Sequence, residues 1–144
     1  MIYLSNSLRK HRVNESALRR GTRALLVAAG ATDASLSIAL VGDRAIRRLN
    51  RLHRGKDRAT DVLSFAGSPG PEPLLGDVVI SLDRAAHQAA GYGATLDAEV
   101  LRLLIHGIAH LLGHAHQTRQ ERARMVRVER KLARAVGLRW PYQS

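Results

Sequence analysis

The 144-residue chain contains no cysteine. Disulfide staples, thiolate metal ligands and a cysteine nucleophile are therefore excluded, and any metal must be held by histidine and carboxylate. Aromatic residues make up only 3%, with one Phe (Phe65) and one Trp (Trp140). A core must then be built from Leu, Val, Ile and Ala, and a row of base-stacking rings is ruled out. No apolar run approaches the roughly 20 residues that span a bilayer. Residues 1–6 do not form a basic segment leading into an apolar stretch, so no secretory signal is read. The expectation is a cytoplasmic protein with no membrane partner. Acid is scarce too: 12 Asp and Glu stand against 23 Lys and Arg, a net charge of +11. So large an excess points to a polyanionic partner, most simply nucleic acid.

Hydrophobic residues make up 45% of the chain, and no repeat, low-complexity tract or linker divides it, so 1–144 is expected to be a single domain. Ile2-Tyr3-Leu4 reads as a short strand. Asn14 reads as a helix N-cap, with Glu15 in the first turn, Leu18, Leu25 and Leu26 at helical spacing and Gly30 as the stop. Residues 35–41 alternate with period two, the mark of a strand. Asp43 is expected to cap a second helix running through Leu52. Two further strands, 61–65 and 77–81, flank a proline-rich segment at 67–73 that must be an exposed connection. From Asp83 onward the pattern is helical, punctuated at Gly91, Gly93 and Gly113. This order predicts an α+β fold, a small mixed β-sheet of about four strands with about five helices packed on it. On the last helix Met125, Val128, Leu132 and Val136 form an apolar stripe, leaving its arginines on the solvated face.

The chemistry is concentrated between His106 and His116, which hold four of the seven histidines. His106 and His110 are four apart, so on a helix they project from one face a turn apart, as in the zincin metal helix. Gly113 can end that helix with a left-handed residue and turn the chain back, bringing His116 round as a third ligand. Three protein ligands leave Zn²⁺ a position for water or substrate. Leu101, Leu104, Ile105, Ile108, Leu111 and Leu112 share an arc of roughly 120° on the other side, which suits a histidine face opening on a cleft. His114 stands too close to His116 to be a preferred ligand, though it could close the site. Where a zincin carries its glutamate base this chain has Gly107, and Glu99 lies about 10 Å up the helix. Asp57, Asp61 and Asp77 are candidates for supporting or turn-forming roles. Upstream, Arg47, Arg51, Arg54, Lys56 and Arg58 belong to a basic stretch, 44–58, read as guiding a nucleic-acid strand.

These residues resemble the YbeY family of bacterial metal-dependent endoribonucleases. Its pattern H-G-x-x-H-L-x-G-x-D-H is matched at His106, Gly107, His110, Leu111, Gly113 and His116, and two further family blocks are matched at 49–65 and 74–81. The resemblance implies one divalent metal ion, zinc by preference, on His106, His110 and His116, with Arg54 as the cleft arginine. It implies a single-strand-specific endoribonuclease acting in small-subunit ribosomal RNA 3′-end maturation and ribosome quality control, in company with the ribosome or a ribosome-associated protein. Physically, a guanidinium can hold two phosphate oxygens and offset charge developing at phosphorus. The chain departs from the pattern at Ala115 (family Asp), His114 (an aromatic), Ala59 (Pro) and His53 (Tyr), and the first change removes a carboxylate beside His116. Two other readings remain: a ribosome-assembly RNA-binding factor with a structural metal, or a zinc hydrolase of another substrate class.

Overall fold

A computed structural model describes residues 1–140. The elements follow in the order β1 (Ile2–Asn6), α1 (Glu15–Ala28), β2 (Ser35–Val41), α2 (Asp43–Arg54), β3 (Val62–Ser68), β4 (Leu74–Ser81), α3 (Leu82–Tyr92), α4 (Leu96–Leu111) and α5 (Arg119–Ala135). The four strands form one mixed sheet in the order β1-β2-β4-β3. β1, β2 and β4 run parallel, and β3 returns antiparallel to β4 at an edge. The α+β expectation holds.

Alternation along the strands divides the core in two. Ile38, Leu40, Val78 and Ile80 face a large cluster built with α1, α3, α4 and α5. On the opposite face Leu63 and Val79 meet Ile46 of α2, with Leu49 and Phe65 packed alongside. Successive residues of β3 therefore look to different helices: Leu63 to α2, Ser64 to α4. The Ser64 hydroxyl donates to the Gly107 carbonyl at 3.2 Å. Gly107 permits this approach, since a Cβ there would lie 2.8 Å from Val78 Cγ1 and 3.1 Å from Ser64 Oγ. A side chain at 107 would push α4 off the sheet, so the position where a zincin base would stand serves packing.

Three expectations need correction. Asp43 does not cap α2. The N-cap is Gly42, which supplies no side chain, and Asp83 Oδ2 of α3 accepts from the Asp43 amide instead, at 2.9 Å. The Asp43 carboxylate turns to the Ser81 hydroxyl (2.8 Å) and Arg84 (3.4 Å). Second, β3 and β4 extend beyond the apolar runs, because backbone pairing continues through Ala66↔Gly76 and Ser68↔Leu74 where the side-chain pattern fades. The rest of the proline-rich connection, 69–72, is exposed as expected. Third, α4 is not a helix with one buried face. Glu99 and Leu103 lie on the histidine side yet are buried. Only the last turns of that side are open, at His106 and His110. The neighbouring helices α3 and α5 pack against α4 and cover that side, which its own residue spacing does not encode.

Candidate metal centre and active site

The histidine helix is built as its sequence requires. Thr95 caps it, its hydroxyl accepting from the Ala98 amide, and Asp97 and Glu99 occupy the first turn. At the other end Gly113 takes φ +92°, a left-handed value that side chains rarely adopt, and the chain reverses there. His106, His110 and His116 are thereby brought together, each offering one nitrogen, all within 4.8 Å of one another. The Nε2 atoms of His106 and His110 are 3.2 Å apart. Two nitrogens bound tetrahedrally at about 2.0–2.1 Å would stand roughly 3.3 Å apart, so the pair fits one ion.

The protonation states suit a cation as well. Nδ1 of His106 lies 2.8 Å from Glu129 Oε2 of α5, a carboxylate that is itself buried. That bond places the ring proton on Nδ1 and leaves the Nε2 lone pair directed at the other histidines. Burial, then the neighbouring His106 and His116 rings, pushes His110 below the ordinary imidazole value, favouring its neutral form. The third member is held through the backbone: one nitrogen of Arg122 donates to the His116 and Gln117 carbonyls, both at 3.3 Å. His114 contributes no side-chain atom to the cluster.

The histidines form one wall of a cleft of about 690 Å³, and Arg54, Thr60, Asp61 and Ser64 help to line the rest. Arg54, the last residue of α2, donates from Nη2 to the Ser64 carbonyl at 2.7 Å, and its guanidinium lies 5.3 Å from the Phe65 ring centre. Ser64 thus ties the arginine to α4, because its hydroxyl bonds Gly107, next to His106. Asp61 is held by the Val62 amide (2.8 Å) and Gln88 Nε2 (3.2 Å); Gln88 in turn receives Arg102, which pairs with buried Glu99. Lys56 and Arg58 share an adjoining cavity of about 290 Å³ with Arg54. Arg47 and Arg51 line neither space. Both turn to Asp57, which Arg47 grips through two nitrogens at 2.9 and 3.2 Å. That grip holds Asp57 below the usual carboxylate range. Asp77 lies in a separate groove on the α2 side of the sheet.

Sequence reasoning missed Glu129 and Arg122. Glu129 left one trace, an acid at the border of the apolar stripe of α5, one residue after Val128. Arg122 left none, being one cation among many on that helix.

Comparison with known proteins places the chain. The profile described as "Endoribonuclease YbeY" matches residues 3–137. This chain belongs to the YbeY family. A relative named Endoribonuclease YbeY from Anaeromyxobacter sp. (strain Fw109-5) is 56% identical over 123 residues, covering 84% of this chain and 64% of that protein. The YbeY relative from Myxococcus xanthus is 52% identical, covering 81% of this chain and 41% of its own length. The chain therefore spans less than two thirds of these two relatives. The YbeY protein of Thermus thermophilus, 45% identical over 119 residues, is covered to 86%. The solution structure of TM1509 from Thermotoga maritima matches across all of both chains at a TM-score of 0.60 and 22% identity, a likeness of fold.

Proposed function

We propose that this YbeY-family chain is a zinc-dependent, single-strand-specific endoribonuclease. Its substrate is small-subunit ribosomal RNA at the 3′ end, cut during maturation and ribosome quality control. In this reading it works in the cytoplasm as one domain, beside the ribosome or a ribosome-associated protein. The observation that carries the reading is the pairing in one cleft of a three-nitrogen cluster with Arg54. Family membership supplies the reaction class.

His106, His110 and His116 would hold the ion, and once bound it would supply Lewis acidity toward a phosphoryl oxygen or a water. The chain's own residues do the rest. Arg54 spends one bond on Ser64 and keeps most of its donors for the phosphate, in a fork that matches two oxygens and offsets charge growing at phosphorus. Its anchoring by Ser64 and Phe65 limits the reorganisation needed when substrate arrives. Glu129 keeps His106 in the ligating tautomer, and Arg122 holds the backbone at His116. Lys56 and Arg58 extend the positive field from the cleft mouth along the approaching strand. The histidines form one wall of the cleft that Arg54 also lines, so a strand flexible enough to bend its backbone between them suits the site better than a stiff duplex. Because His114 stands apart from the cluster, an open site is favoured over the closed one that a purely structural metal prefers.

The test is cleavage of a defined RNA carrying single-stranded and duplex segments, by wild type and by Arg54→Ala. The variant should keep its metal and its unfolding temperature while losing roughly 10²–10³-fold in turnover. Unchanged turnover, or equal cutting of duplex, would contradict the assignment.

A further inference from the structure

Much of the chain's surplus charge lies on a face that the cleft does not use. Arg119, Arg124, Arg127, Arg130, Lys131 and Arg134 of α5 are all exposed. At about 100° per residue they fall in an arc of roughly 140°, opposite buried Met125 and Leu132. The helix has two acids, and both are spent internally. Glu121 closes the capping box with Thr118, and Glu129 is taken by His106. Among the described residues none of the six cations makes an ion pair or a side-chain hydrogen bond. Neighbours at i, i+3 and i, i+4, such as Arg127, Arg130, Lys131 and Arg134, repel one another without compensation. The row runs about 22 Å along the axis. It starts beside the histidines, since Arg122 at the head of the same helix bonds the His116 carbonyl.

We propose that this arginine face of α5 is a second binding surface, one that takes the phosphate backbone of RNA flanking the strand held in the cleft. It rests on the reading of the cleft as an RNA site. RNA is favoured over a protein or a membrane by what the face lacks. It presents no aromatic residue, and Val126 is its one large apolar side chain exposed by more than a third. Protein interfaces are anchored by buried aromatic and apolar groups, and an interfacial helix needs an apolar face to insert. A row of unneutralised guanidinium groups suits a repeating anion, where each contact releases a condensed counterion.

The test compares wild type with Arg127→Gln/Arg130→Gln/Arg134→Gln and with the matching triple Lys variant, which keeps the charge. Binding of a short single-stranded RNA and of a long RNA containing it is followed by fluorescence anisotropy across a salt series, and cleavage of the short RNA is measured in parallel. For the Gln variant, long-RNA affinity should fall about tenfold or more, and the slope of log K against log salt should drop by about two. Short-RNA binding and cleavage should be unchanged, and the Lys variant should behave like wild type. Unaltered long-RNA affinity and slope, with intact short-RNA cleavage, would overturn the surface and leave the cleft reading standing. An equal loss on short and long RNA would also overturn it. Failure of wild type to bind either RNA would overturn both readings.

Discussion

Glu129 shows how a single side chain can decide whether a cluster of imidazoles is a ligand set or only a crowd of rings. A buried carboxylate 2.8 Å from His106 Nδ1 fixes which nitrogen carries the proton, and so which one can bind a cation. Replacing it with Ala should weaken metal binding about 10- to 100-fold, measured by competition against a chelating indicator. Glu129→Gln, which keeps an acceptor without the charge, should lose less. Equal affinity in all three proteins would show that Glu129 does not orient the ligand. The same residue marks the limit of sequence reading at this scale. His106 and His110 were legible because i, i+4 spacing is local geometry. Glu129 meets His106 across 23 positions, and no local pattern encodes a contact set by how two helices pack. Arg47 and Arg51 show the same limit: the sequence places Asp57 in their basic stretch, but only the fold shows that it pairs with these two, which stay more than half exposed.

At the level of elements, strand and helix identities followed from periodicity, while caps and ends depended on neighbours. β2 matches its alternating run residue for residue, because both faces of that strand are defined by its own side chains. The start of α2 was misread because its cap comes from another helix. Asp83 accepts from the Asp43 amide and also meets His11 at 3.0 Å. Gly42 leaves the room for it, since a Cβ there would sit 3.1 Å from Asp83 Oδ2. Asp83→Ala should therefore destabilise the fold by about 1 kcal/mol at neutral pH. The Asp43 amide, then His11 and Lys10, hold the Asp83 carboxyl below its ordinary value. A depressed carboxylate stabilises fully above its unfolded pKa of about 3.9, and that contribution is lost as pH falls through the lower folded value. Denaturant midpoints of wild type and variant should consequently converge as pH falls below about 4. A gap that widens in that range would contradict the cap.

Over the whole molecule, a mixed sheet, a nearly enclosed helix α4 and an edge strand β3 converge to leave one opening where three histidines meet an arginine. No helix among the described residues is long and apolar enough to cross a membrane. The most direct test is to measure metal content and RNA cleavage on the same preparations of wild type and His110→Ala, each stripped with chelator and then reloaded. Wild type should bind one divalent ion per chain, lose cleavage when stripped and regain it on reloading. His110→Ala should remain folded by circular dichroism, hold little metal and cut nothing. Full cleavage by metal-free His110→Ala would contradict the account.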